Sequence, residues 1–355
     1  MRILSAALAA SLVLATGVSS ARIAEAVPTR SIEFSSREAV LGWINGYRAK
    51  PDLARVPLAV RSLSQLGAFK DVESSAVFVG FIAGVLGANP KQADELVSKM
   101  LPLRPDDQWF LVRAIAYSGL PQWKAMLTRF RPQLAARTVM IDKYLEGKLP
   151  TLTDLSLDDG PGFWSRAGEW VRVDRYFTGN KPAAELKLRP SGDLIDLLWG
   201  YYFATGAYSP VSKLIAMLPW SKDRDVIEKL TLGNMAKYTL AINASRNVEL
   251  LAMLKWAAPQ QAKDTQPILK EVIEAADLVD TIRLRNEALA AMEELKRKGP
   301  GYKRDVSWWA SVGQGAVSLG CIGAAVAGQV EFGIPCVVGG ALSSAVLNYW
   351  GQTDK

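Results

Sequence analysis

One arrangement recurs along the sequence: an apolar run of helical length, a short turn marked by Gly, Asn or Pro, and a second run with helical spacing. Val77 to Leu86 is followed by Gly87-Ala88-Asn89-Pro90, and helical spacing then resumes at Ala93, Leu96, Val97, Met100 and Leu101. Trp109 to Tyr117 is followed by Ser118-Gly119-Leu120-Pro121 and Trp123 to Phe130. Leu194 to Phe203 turns at Thr205-Gly206 into Val211 to Met217, and Leu232 to Ile242 turns near Asn243 to Asn247 into Val248 to Trp256. Glycine closes a helix and proline opens the next, so each unit predicts a helical hairpin. One hairpin cannot bury its own apolar face, which predicts stacking. Alternation long enough for a sheet is absent. The expected class is all-α, an irregular, α-solenoid-like array of helical hairpins with a C-terminal small-residue hydrophobic helical hairpin.

The expected turn glycines 87, 119, 179 and 206 are unevenly spaced, so no named repeat family is assigned. Residues 149–190 hold Pro150, Asp158-Asp159-Gly160-Pro161-Gly162, Gly179-Asn180-Lys181-Pro182 and Pro190, a concentration of breakers that predicts a connecting segment. It separates an expected N-terminal lobe, 27–148, from a C-terminal lobe, 191–300. The latter ends in a long helix after Pro267, with Ile268, Val272, Ala275, Val279 and Ile282 on one face and Asp264 or Thr265 as its cap.

Met1 and Arg2 followed by the uncharged, Leu/Ala/Val-rich stretch Ile3 to Val18 have the layout of a secretory signal peptide. Ala24-Glu25-Ala26 fits the small-residue cleavage pattern, so the expected leader is 1–26. Export places the mature chain in the periplasm, where Cys321 and Cys336 either pair or remain buried thiols. A bridge closing a loop of that size is worth about 3 kcal/mol.

The 355 residues contain no histidine and two cysteines. This chain therefore carries no Ser-His-Asp or Cys-His nucleophile, no imidazole metal site and no four-thiolate centre. No cofactor is expected. The net charge is +7, but the basic residues are scattered and match no nucleic-acid-binding motif, so no nucleic-acid partner is expected. Carboxylates and tryptophans gather at Asp154, Asp158, Asp159, Trp164, Glu169, Trp170 and Asp174, with Asp193, Asp196 and Trp199 after them. A glycan-active protein using Asp158 to Asp174 is the alternative this cluster supports, because glycoside cleavage needs two carboxylates beside aromatic platforms. Asp193 reads more simply as a helix cap, and Ser209, four residues before Lys213, as another. No residue is assigned a catalytic role.

Residues 301–355 form the last expected unit. Val306 to Val330 and Phe332 to Gln352 are uncharged, with Glu331 between them. Ala316, Gly320, Ala324 and Gly328 recur every four residues, and Gly340 with Ser344 repeats the spacing. Such small faces let helices approach closely. Trp308 and Trp309 open the first arm, and Tyr349 and Trp350 close the second, so a hairpin brings all four to one end. Lys296, Arg297, Lys298, Lys303 and Arg304 lie just upstream, where they would face anionic lipid or favour a helix C-terminus. The unit reads as an anchor through 306–350, to a membrane or within protein at an oligomer contact. Trp43, Tyr47, Trp109, Trp123, Trp199 and Tyr201 are candidates for a concave recognition face or for core.

The segments Val79-Gly80-Phe81-Ile82-Ala83-Gly84-Val85-Leu86-Gly87-Ala88-Asn89-Pro90 and Ala114-Ile115-Ala116-Tyr117-Ser118-Gly119-Leu120-Pro121 resemble those of signal-peptide-bearing α-helical proteins of the bacterial envelope. The resemblance implies a Gram-negative envelope setting and carries no activity. The expected function is an exported, non-enzymatic scaffold or adaptor that binds protein or envelope components.

Overall fold

The structure, a computed structural model, describes residues 34–155, 157 and 188–277. The leader, the segment from Asp158 to Lys187, the end of the long helix and the C-terminal hairpin with Cys321 and Cys336 lie outside the described residues. Those described are helical, and their one extended pairing is a parallel bridge between Leu155 and Leu188. The all-α class expected from the sequence is the one observed.

The first helices pack by their apolar faces. α1 (Arg37–Gly46) starts where Ser36 accepts a hydrogen bond from the Ala39 N–H at 3.2 Å, and it buries Val40, Leu41 and Ile44. α2 (Arg55–Gln65) buries Val56, Val60 and Leu63, and α4 (Ala93–Met100) buries Leu96, Val97 and Met100. Between them, α3 (Ala76–Ala88) has no polar side chain and is buried from Ala76 through Leu86. A helix apolar all round belongs in a core. α5 (Gln108–Ala116) is buried along its whole length, and α6 (Trp123–Phe130) and α7 (Thr138–Leu145) cover it.

α8 (Gly192–Thr205) is the counterpart of α3 and makes with it the most extensive helix contact among the described residues. Glycine explains why. A Cβ on Gly80 would fall inside 3.0 Å of the Leu197 carbonyl carbon, its oxygen and its Cα, and one on Gly200 would fall equally close to backbone atoms of Val77 and Phe81. Further along, Gly84 faces Ala204. Backbone therefore lies against backbone, a proximity that side chains larger than hydrogen forbid. Contact advances in the same direction along both helices. Helices from both sides of residues 158–187 thereby share one apolar core.

The remaining helices build outward from α8. Gly206 ends it with φ of 65°, and α9 (Tyr208–Ala216) follows. α10 (Ile227–Ala244) buries Asn234, Thr239 and Asn243, each of which donates to the carbonyl four residues earlier at 2.8 Å. Polar side chains satisfied within their own helix are cheap to bury. α11 (Val248–Ala257) is capped by Asn247, which accepts from the Leu250 N–H at 3.0 Å. α12 (Gln266–Asp277) lays Ile268, Val272 and Ala275 on the core, as its spacing predicts, and Thr265 stands at its cap. Glu271 accepts from the buried Lys237 of α10 at 2.6 Å.

Three local expectations are corrected. Gly87 is inside α3 rather than in a turn, where its missing Cβ makes room for the Ser118 carbonyl oxygen. Asp193 does not cap α8. Ser191 does, accepting from the Leu194 N–H, and Asp193 in the first turn accepts from the Ser191 hydroxyl. Ser209 sits within α9, whose cap position is Ala207.

The α3–α8 contact predicts a contrast between glycines. Gly80→Ala should cost about 3 kcal/mol, at the upper end of the usual cost of overpacking. Gly46→Ala, at the end of α1 where an added Cβ meets nothing within 4 Å, should stabilise by about 0.5 kcal/mol. Urea unfolding of the two variants checks this, and equal stability of Gly80→Ala and the parent would refute the close approach.

Candidate interaction surface

Three side chains spaced four apart on one helical face, Trp109, Arg113 and Tyr117, surround the buried cation of α5. The Arg113 guanidinium carbon lies 5.4 Å from the Trp109 ring centroid and 5.9 Å from that of Tyr117. Tyr144 of α7 stands edge-on to Tyr117 at 6.5 Å and to Trp123 at 6.2 Å. Burial by itself lowers the affinity of Arg113 for its proton, but Tyr117, Tyr144 and Asp193 outweigh it and hold the group above its ordinary value. Burial drives the Tyr117 phenol well above its ordinary value, against the opposing pull of Arg113, and raises Tyr144 in the same way. Two phenols that keep their protons and a guanidinium that keeps its charge make a fixed polar strut. They do not make an acid-base pair, which needs a group that titrates near the working pH.

A second strut joins three elements. Arg48, after α1, donates to the Tyr202 hydroxyl of α8 at 2.9 Å and to the Glu249 carboxylate of α11. Its guanidinium lies 5.0 Å from the Tyr202 ring centroid. Gly206 leaves space for it, since a Cβ there would crowd the guanidinium.

The sequence candidates fall mainly into these interior roles. Tyr47, Trp109 and Trp199 are core, and Trp43, Trp123 and Tyr201 are half-buried against it, so a recognition face built on them is corrected. Trp43 packs at 5.4 Å on both Tyr47 and Phe81, while Tyr201 donates to the Ser118 carbonyl at 3.2 Å. Of the carboxylate cluster, Asp154 is exposed and accepts from the Thr151 N–H and hydroxyl, whereas Asp196 is buried in α8. Asp158, Asp159, Trp164, Glu169, Trp170 and Asp174 lie outside the described residues, as do Lys296 to Arg304 and the residues of the C-terminal hairpin. Among the described residues, no group of three or more carboxylates is placed to hold a metal ion, and no helix is long and apolar enough to cross a membrane.

What the sequence reading missed is the outer side of α11. Val248, Ala252 and Trp256 are four apart and exposed, Val248 by 83% and Trp256 by 60%. Trp256 meets Tyr208 of α9 edge-on at 5.5 Å. The stripe runs on into an open cleft of about 460 Å³ between the end of α11 and the start of α12, floored by Ala258, Pro259, Pro267 and Ile273, with Lys263 and Lys270 at its edge. The charges beside the stripe are neutralised within the fold. Glu249 is held by Arg48, and Lys255 reaches both oxygens of Asp277 at 3.0 and 2.9 Å. An uncharged stripe with a self-neutralised rim has the anatomy of a protein contact. The signal was legible as spacing, but α11 carries apolar residues all round and only the fold says which of them remain uncovered.

Comparison of the chain with protein-family models, with curated proteins and with solved structures finds no match.

The buried phenols predict an alkaline limit. Their folded-state values lie above the ordinary 10.0, so the folded state keeps protons that the unfolded state loses. Their contribution is complete below pH 10 and is lost as the pH rises through the raised values. Tyr117→Phe should cost about 1 kcal/mol at neutral pH through its lost hydrogen bond. It should also flatten the fall of the thermal midpoint above pH 10. An unchanged alkaline profile would remove Tyr117 from this account.

Proposed function

We propose that the chain is a non-enzymatic helical scaffold of the bacterial envelope, exported by residues 1–26 and attached to a membrane or to another subunit through residues 306–350. The observation that carries this reading is the uncovered apolar stripe of α11, beside a fold whose buried charged and phenolic groups serve as struts. Its partner class is a protein or envelope component that offers an apolar, uncharged surface. The uncharged runs Val306 to Val330 and Phe332 to Gln352, with Trp308, Trp309, Tyr349 and Trp350 at their ends, support the anchoring role. Lys296, Arg297, Lys298, Lys303 and Arg304 add attraction to anionic headgroups of about 1 kcal/mol per charge near a surface.

Two properties of the full chain, compared with one ending at Gly301, test the reading. The full chain should remain with the envelope after carbonate extraction or sediment as an oligomer, and the shortened chain should be a soluble monomer. Equal recovery of both as soluble monomers would contradict the anchor.

A further inference from the structure

The α11 stripe is an apolar surface with nothing described upon it, and its surroundings restrict what suits it. Its flanking charges are satisfied within the fold, Glu249 by Arg48 and Lys255 by Asp277, so it exerts little net field on a charged partner. A lipid surface selected by charge or an acidic peptide would find no complementary excess there. An uncharged apolar partner gains most, because each buried Å² of apolar surface contributes about 25 cal/mol without desolvating an ion.

The chain supplies such a partner close by. Asp277, the last described residue of α12, is bonded to Lys255 of α11, so the chain leaves the described fold directly beside the stripe. Residues 278–305 follow, and then the uncharged runs 306–330 and 332–352. The stripe from Val248 to Trp256 is only about 12 Å long at the helical rise, well within the reach of the residues between Asp277 and Val306. Small residues at Ala316, Gly320, Ala324 and Gly328 give a helical face that could approach α11 as closely as Gly80 and Gly200 allow α3 and α8 to approach each other.

We infer that the C-terminal uncharged segment, residues 306–352, has a resting seat in its own chain on the Val248–Ala252–Trp256 stripe of α11. The inference rests on the proposed anchor only in using the same segment. When that segment engages a membrane or a second subunit, the stripe is uncovered, so anchoring and exposure of the α11 surface are coupled through one contact.

The test uses the full chain with p-benzoylphenylalanine replacing the exposed Ala252. Photolysis should join this position to residues 306–352 of the same chain, with a yield that is unchanged by tenfold dilution. Absence of that product, or a product between two chains that declines on dilution, would overturn the inference. In parallel, the double variant V248E and W256Q should raise amide exchange in residues 306–352 at least tenfold while leaving α3 and α8 protected. Unchanged exchange in that segment would overturn it too. Adding vesicles of phosphatidylethanolamine and phosphatidylglycerol separates the two readings. Loss of the cross-link as the protein binds supports both, and a persistent cross-link with no binding keeps the seat while rejecting the membrane anchor.

Discussion

The fold depends on the approach of two helix backbones at Gly80 and Gly200. Glycine within a helix is unfavourable by about 0.5–1 kcal/mol relative to alanine, and α3 carries three of them, at 80, 84 and 87. That cost is offset because close approach lets the flanking side chains of α3 and α8, among them Val77, Phe81, Leu197 and Trp199, pack on one another without a gap. Interiors packed at crystal-like density tolerate little additional volume at such a point. Because α3 precedes residues 158–187 and α8 follows them, this one crossing draws both parts of the sequence into a common core. Gly87 and Tyr201 extend the same principle to the turn after α5, where the Ser118 carbonyl fits against a helix that has no Cβ at that position.

Buried polar groups complete the architecture at places where apolar packing would leave the arrangement of helices loosely specified. Arg113 has rings from its own helix four residues on either side and Tyr144 from another, and Arg48 reaches α8 and α11 together. Lys237 ties α10 to α12 through Glu271. Each of these charges is accompanied by partners that offset its removal from water, which is the condition under which a buried ion is tolerated.

Local structure was legible in the sequence because helix ends are written in local chemistry. Trp123 to Phe130 is the observed α6, Val248 starts α11 behind a capping Asn247, and Gly119 and Gly206 adopt the positive φ that their turns require. The position of Ser191, three residues before Leu194, identifies the cap more simply than Asp193 does. Gly80 and Gly84 already display the four-residue spacing of small side chains that was read in the C-terminal segment, and Gly200 with Ala204 displays it again. Spacing announces a face suited to close contact but does not name its partner more than a hundred positions away. The same limit applies to function. The isolated Arg113 in the apolar run from Trp109 to Ala116 marks a buried cation, whereas the exposure of Val248 and Trp256 follows only from where α9, α10 and α12 happen to lie.

With the interior secured in this way, the outer side of α11 is free to serve as a contact surface, and the struts that reach it from Arg48 and Asp277 fix its orientation on the core. The central claim is that α3 and α8 behave as one structural unit although they are distant in sequence. Native-state hydrogen exchange under increasing denaturant measures this most directly. The account predicts that amides of α3 and α8 open together, with the highest opening free energy in the molecule and the same denaturant dependence. Opening of α8 at distinctly lower denaturant while α3 stays closed, or the reverse, would contradict it.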